Sequence, residues 1–135
     1  MMKRYFGVID QSGKTWGVTI PDIAGAVGVG PTLEAAIDSA TIALREIAQH
    51  MASGGYALPE PSPLPDLLAS GEWGSAPATV LIPLLLDAGR TVRANLTFDA
   101  GLLEAIDKEA KLRGLTRSAF LASAAREKIG VAGAV

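Results

Sequence analysis

The sequence predicts an α+β protein made of two small parts: a three-stranded antiparallel sheet with a helix in front, and a strand followed by two helices behind. The spacing of the apolar residues changes along the chain from every second residue, typical of strands, to every third or fourth, typical of helices. Charge divides the chain as well. Residues 1–89 hold four basic and nine acidic side chains, a net charge of −5, and residues 90–135 hold eight basic and five acidic ones, a net charge of +3. An acidic front and a basic back indicate two different partners, the second of them polyanionic.

Composition excludes several classes of protein. A chain of 135 residues that is 49% hydrophobic and 19% charged can bury a core. It has no cysteine, which excludes disulfides, thiolate metal sites and thiol catalysis. No apolar run approaches the roughly 20 residues of a membrane-spanning helix, and the first residues do not resemble a signal peptide. We therefore expect a cytoplasmic protein with no membrane contact and no cofactor.

The front part begins with a predicted hairpin and helix. Two strands, RYFGVID and TWGVTI, flank the turn-like sequence QSGK. The glycine-rich stretch 25–30 predicts a loop, and Thr32 is the expected N-cap of a helix. Apolar residues then recur at spacings of three or four until the helix ends near Gly54 and Gly55. Trp16 alternates with polar neighbours on the second strand, so we expect it to face the core.

A connector and a third strand follow. Residues 56–77 hold five of the eight prolines and predict an extended connector with one helical turn near Asp66 to Ala69. Trp73, between glycines, fits a core position and an interface anchor equally well. The third strand is expected from Ala78 to Leu86, and Pro83 within it favours either an edge position or the last part of the strand.

The back part has the sharpest pattern. In RTVRANLTFD one row of alternate residues is apolar, and the other presents a guanidinium, an amide and a hydroxyl from Arg93, Asn95 and Thr97. Asp99 and Thr116 are the expected N-caps of two helices, and Gly114 stops the first. One strand and two helices leave a strand edge unpaired and too small a core. Antiparallel pairing with a second copy would solve both problems.

These residues resemble known families. VRANLTFDAGLLEAIDKEAKLRGLTRSAFLASAAREKI resembles the ribbon-helix-helix pattern, whose helices are joined by a Gly-Leu-Thr/Ser-Arg-Ser turn. Upstream, YFGVI, WGVTIPDIAGAVGVGPTLEAAIDSATIALREI and PEPSPLPDLLA resemble the N-terminal domain of HicB antitoxins, which is similar to a truncated ribonuclease-H-like fold. The loop Pro21 to Ala26 lacks that family's second proline and its cysteine. The resemblance implies a toxin-masking domain over 1–87, with the connector 56–77 within it, and a DNA-binding domain over 88–135.

The ribbon-helix-helix resemblance implies a DNA interface. A two-stranded ribbon from a dimer enters the major groove, where Arg93, Asn95 and Thr97 would read base edges. The start of the second helix and the start of the strand would contact the phosphates, through Arg90, Thr91, Thr116, Arg117 and Ser118.

The HicB resemblance implies the other partner. Such an antitoxin neutralises a HicA-like, RNA-cleaving toxin and represses its own operon by binding operator DNA. The toxin-binding residues are not identified by the sequence. A homodimer is expected through the C-terminal ribbon, and association through the N-terminal domains could join two dimers into a tetramer. The alternative hypothesis is a stand-alone ribbon-helix-helix regulator whose N-terminal domain senses a small ligand.

Catalysis has little support in the sequence. Two-metal nucleases need three or four converging carboxylates, and the only candidates are Asp10, Asp22 and Glu34, at a strand end, a loop and a helix start. His50 is the sole histidine, and its position near a helix C-terminus suits a favourable interaction with the helix dipole. We expect neither a catalytic residue nor a metal ligand.

Overall fold

The computed structural model describes residues 2–86 and 90–130, which form four strands and four helices. In chain order these are β1 Met2–Ser12, β2 Thr15–Thr19, β3 Val27–Gly30, α1 Leu33–Ser53, α2 Leu64–Leu68, β4 Ala78–Leu85, α3 Ala100–Leu112 and α4 Arg117–Ile129. The expected domain boundary between residues 87 and 88 lies outside the described residues. No helix within the described ranges is long and apolar enough to cross a membrane.

The sheet has four antiparallel strands in the order β3-β2-β1-β4. The prediction of three strands was therefore wrong, because part of the glycine-rich stretch 25–30 forms β3 rather than a loop. Gly28 lies so close to α1 that a Cβ atom on it would overlap the backbone of Ala36 and Ala40. In this strand the glycines allow a helix to approach the backbone, so they do not indicate a loop.

One face of the sheet packs on α1 and forms the core. Tyr5, Val18 and Ile82 are at most 1% exposed on this face, and the small residues Ala36 and Ala40 bring the helix close to the strands. Trp16 packs against the edge of this cluster as a partly buried residue, as the strand pattern predicted.

The predicted ends of the elements are largely confirmed. Thr32 caps α1, accepting a hydrogen bond from the backbone nitrogen of Ala35 at 3.1 Å, and Gly54 is the C-cap. β4 lies at the edge of the sheet, where Pro83 costs no internal ladder bond. The single helical turn expected near residues 66–69 is α2, and the rest of 56–77 contains no other helix or strand.

The back part contains α3 and α4 with the expected caps. The Asp99 carboxylate accepts hydrogen bonds from the backbone of Gly101 and Leu102, and the Thr116 hydroxyl accepts one from Ala119. Gly114 ends α3 with φ at +69°, a left-handed conformation that favours glycine. Residues 91–99 form no strand within this single chain. The strand pattern there needs a second backbone to pair with, and the described residues of one chain do not supply it.

Candidate nucleic-acid interface and connector

The segment 90–98 divides into two rows of side chains, as its alternation predicted. Arg93, Asn95 and Thr97 are exposed. Ala94, Leu96 and Phe98 line a cavity of about 280 Å³, which α3 and α4 complete with Leu103, Arg117, Ser118 and Leu121. The apolar row therefore lies towards the two helices. Leu96 is nevertheless 66% exposed, and Val92, four residues earlier in the same alternate row, is 78% exposed.

Arg117 has a second role that sequence reasoning missed. Its guanidinium donates two hydrogen bonds to Asp107 of α3, from Nε to Oδ1 and from Nη2 to Oδ2, each 2.8 Å long. This bidentate pair joins the two helices. The hydrogen bond from Arg117 holds the pKa of Asp107 below its ordinary value, and the same pair raises the pKa of Arg117. No spacing rule within one helix predicts this pair, because Asp107 and Arg117 lie on different helices.

The other predicted phosphate contacts are also accessible. Thr116, Arg117 and Ser118 gather at the N-terminus of α4, where backbone N–H groups point outward and the helix dipole favours an anion. Ser118 also borders the cavity beneath the apolar row. Arg90 and Thr91 are exposed at the start of the segment. The structure thus brings the start of α4 and the row Ala94 to Phe98 to one region of the surface.

Polar contacts fasten the connector to β1 and to the loop after β2. The Tyr5 hydroxyl donates a hydrogen bond to the carbonyl oxygen of Pro59 at 2.7 Å, and burial raises the pKa of this tyrosine. The Asp22 carboxylate accepts two hydrogen bonds from Ser62, one from the backbone nitrogen at 2.8 Å and one from the hydroxyl at 2.7 Å. Lys3 forms an ion pair with Glu60.

These contacts change the interpretation of the acidic residues. Asp22, a candidate metal ligand in the sequence, uses both carboxylate oxygens to hold the connector. Within residues 2–86 and 90–130 no group of three or more acidic or histidine side chains could hold a metal ion. His50 is exposed in the last turn of α1. Trp73 is half-buried in the connector, which still allows both of its predicted roles.

Comparison with known families is decisive. The family model described as "HicB_like antitoxin of bacterial toxin-antitoxin system" matches residues 5–125. The chain belongs to the HicB-like antitoxin family. It is therefore a HicB-like antitoxin of a toxin–antitoxin system. No curated protein sequence matches the chain significantly.

Two solved structures are similar to this HicB-like chain. The crystal structure of the Burkholderia pseudomallei antitoxin HicB aligns with a TM-score of 0.51 and 26% identity, over 96% of this chain and 97% of that one. The N-terminal domain of the same antitoxin aligns with a TM-score of 0.50 and 19% identity, over 62% of this chain and 99% of the other. The second likeness concerns the fold alone.

Proposed function

We propose that two copies of this antitoxin pair residues 92–98 into an antiparallel ribbon, forming a ribbon-helix-helix that represses transcription from its own operator. The observation that carries the proposal is the exposure of the apolar row: Val92 and Leu96 stay 78% and 66% exposed beside a cavity of about 280 Å³. A second copy of the segment would cover these side chains and satisfy the unpaired backbone. The front domain resembles the N-terminal domain of HicB antitoxins, and this resemblance implies a fold similar to a truncated ribonuclease H.

The outward row then becomes the base-reading surface. A two-stranded ribbon fits the major groove, where each base pair displays a distinct set of donors and acceptors. Arg93 can bind guanine O6 and N7 through two hydrogen bonds, and Asn95 can pair with the N6 and N7 edge of adenine. Thr97 can contact a phosphate, a base or a thymine methyl group. Each good bidentate contact contributes about 1–3 kcal/mol of discrimination between bases.

The start of α4 and the start of the ribbon position the DNA backbone. Thr116 and Ser118 place backbone N–H groups at the helix N-terminus, which suits a phosphate. Arg117 would contact a phosphate while its guanidinium is also hydrogen-bonded to Asp107 of α3. Arg90 and Thr91, which lie just before the ribbon in the chain, complete the predicted set of phosphate contacts.

The front domain binds the toxin in this proposal. Its net charge of −5 complements a small basic RNA-cleaving protein of the HicA type and speeds the encounter. Acidic side chains are exposed along the outer side of α1, at Glu34, Asp38 and Glu46. With toxin bound to the front and operator bound to the back, loss of the antitoxin releases both controls together.

A gel shift on the DNA upstream of the gene tests the DNA arm. We expect Arg93→Ala to abolish the specific shift, and Lys14→Ala, an exposed charge removed from the distant hairpin turn, to leave it unchanged. Arg90→Ala should weaken binding to all sequences alike and reduce the slope of log K against log salt by about 1. A specific shift that survives Arg93→Ala would mean that another face reads the bases.

A pull-down of tagged protein from its native host at low salt tests the toxin arm. We expect a small basic protein to co-purify, and to be lost at high salt because charge drives the encounter. If no such partner appears and specific DNA binding persists, the stand-alone regulator replaces the antitoxin mechanism.

A further inference from the structure

The ion pair between Arg117 and Asp107 differs from two ion pairs that lie along α3. There, Lys108 and Arg113 each pair with a glutamate four residues earlier, a spacing common on exposed helix surfaces. Arg117 is the first residue of α4, and it reaches Asp107 of α3, ten residues away in sequence. The pair therefore fixes a cation at the junction of the two helices.

The side chain of Arg117 is held at both ends. The Thr116 hydroxyl accepts a hydrogen bond from the backbone nitrogen of Ala119 at 3.1 Å, which fixes the first turn of α4 from which Arg117 extends. At the other end, Nε and Nη2 of Arg117 donate to the two carboxylate oxygens of Asp107, each at 2.8 Å. Two parallel hydrogen bonds give the planar guanidinium one orientation. This orientation is set before any ligand binds.

Asp107 occupies only part of the guanidinium of Arg117. An arginine carries five N–H donors, and Asp107 takes one from Nε and one from Nη2. We call this the side edge. The remaining three donors, two on Nη1 and one on Nη2, form the end edge, whose fork matches two oxygens of a phosphate. The Arg117 side chain is 53% exposed, so a ligand can reach it. One guanidinium can therefore hold Asp107 and an anion at the same time.

The position of Arg117 suits a phosphate of bound DNA. Arg117 lines the same cavity as Ala94, Leu96 and Phe98, so it lies on the helix side of the segment that would form the ribbon. Most hydrogen bonds between proteins and DNA go to the phosphates and sugars, and they fix how the protein sits on the duplex. A cation held beside a ribbon in the major groove is within reach of the backbone that borders the groove.

The carboxylate of Asp107 needs a reason to be there. It lies as near to the proposed DNA as Arg117 does, and a carboxylate beside a polyanion opposes binding. The pair has no net charge, so it adds little attraction at a distance. Its contribution to binding must come from hydrogen bonds that are correctly directed at contact. A carboxylate that directs the guanidinium supplies these bonds, whereas one without that role would only repel the DNA.

We infer that Asp107 is a positioning residue: it holds the side edge of Arg117 so that the end edge of the same guanidinium binds one DNA phosphate. This role rests on the proposed function, in which α4 begins beside the DNA backbone. A long side chain that is already ordered in the free protein loses less conformational entropy on binding. Asp107 therefore strengthens the binding of an anion although it is itself an anion.

The sign of one substitution tests this role. Fluorescence anisotropy with a labelled duplex from the DNA upstream of the gene measures the dissociation constant of the full chain. Asp107→Asn replaces one acceptor oxygen by a donor, and we expect it to raise the dissociation constant about fivefold, within the range for coupled neighbouring residues. Glu104→Gln is the matched control, since it removes a negative charge from the same helix, and should leave binding unchanged or tighter. An Asp107→Asn variant that binds more tightly overturns the inference.

Changes at Arg117 test whether Asp107 acts through the guanidinium. Arg117→Lys keeps the charge but has no second edge, so it should weaken binding about as much as Asp107→Asn. In an Arg117→Ala background, Asp107→Asn should instead tighten binding, because the unpaired carboxylate there only repels the DNA. A substitution of Asp107 that weakens binding equally in both backgrounds would contradict a role through Arg117.

A scan of the phosphates separates positioning from a general effect on helix packing. Each duplex carries one methylphosphonate, in which a methyl group replaces a charged oxygen. One phosphate should matter for the unmodified chain, matter less for Asp107→Asn and not matter for Arg117→Ala. A loss spread evenly over all phosphates would mean that Asp107 acts only through the packing of α3 on α4, which refutes positioning. Circular dichroism checks the fold of each variant.

The same measurements distinguish this role from the proposed function. Specific binding that Arg93→Ala abolishes and Asp107→Asn improves would leave the DNA arm standing and refute the role of Asp107 alone. An unmodified chain that shows no specific binding to the upstream DNA would overturn both.

Discussion

The substitution Gly28→Ala tests the feature that sequence analysis missed, the close approach of α1 to β3. A Cβ atom at this position would lie 2.7 Å from Cα of Ala40, and it would come still closer to the backbone nitrogen of Ala40 and the carbonyl oxygen of Ala36. Carbon atoms in good contact are about 3.5–4.0 Å apart. Backbone atoms cannot rotate away as a side chain can, so the helix must move by about 1 Å.

The size of this displacement determines the expected loss in the free energy of unfolding. A gap of 0.5–1 Å removes roughly a quarter to a half of the dispersion attraction across it. Overpacking in cores costs about 1–3 kcal/mol when side chains can adjust, and here they cannot. We therefore expect a loss of about 3 kcal/mol or more in the free energy of unfolding, a large part of the roughly 5–15 kcal/mol of a typical domain.

Urea unfolding followed by the fluorescence of Trp16 and Trp73 measures this loss. Gly30→Ala should be less severe, because its nearest atom is the Cβ of Ala35 at 2.7 Å and the nearest backbone atoms lie at 2.9 Å. Val29→Ala is the matched control between them, 60% exposed on the other face, and should cost less than about 1 kcal/mol. If Gly28→Ala unfolds within about 0.5 kcal/mol of the unmodified protein, the helix does not pack against this strand as described.

Three further changes test the other contacts. Asp22→Ala removes both hydrogen bonds to Ser62, so we expect a loss of about 1–3 kcal/mol in urea unfolding and faster hydrogen exchange at Ser62; unchanged exchange there would refute the anchor. Because the folded-state pKa of Asp107 is depressed, its pairing with Arg117 stabilises the fold above the unfolded pKa and is lost as pH falls through the folded value. The variant Asp107→Asn should therefore flatten acid unfolding below about pH 4, measured by circular dichroism, and an unchanged curve would exclude this pair as a contributor. Thr116→Ala should cost about 1 kcal/mol through loss of the α4 N-cap, measured by thermal unfolding, whereas Thr116→Ser should be nearly neutral.

Local chemistry made the ends of the helices predictable. Thr32, Asp99 and Thr116 each have an oxygen on a short side chain just before an apolar period, and all three cap the expected helix. Gly114 is needed because the chain turns through a left-handed conformation after α3. These signals depend on residues within one helical turn, so they can be read without knowing the tertiary fold.

The strand β3 and the contacts of the connector depend on residues distant in sequence. Gly28 looks like loop sequence until Ala36 and Ala40 of α1 are known to lie against it. Asp22 looks like a candidate acid until Ser62, forty residues away, is placed against it. In both cases the misread residue has a role that only tertiary packing assigns.

The pairing of charges within the basic half bears on where the proposed DNA contact would lie. On α3 and α4, Lys108 pairs with Glu104, Arg113 with Glu109, and Arg117 with Asp107. The segment 90–98, in contrast, contains Arg90 and Arg93 and no acidic residue. Charges compensated within the helices contribute little potential at a distance, since opposite signs a few ångströms apart largely cancel. In the proposed dimer, the two copies of segment 90–98 would bring four arginines and no acidic residue together. Under the proposal, this segment rather than the outer sides of the helices would meet the DNA.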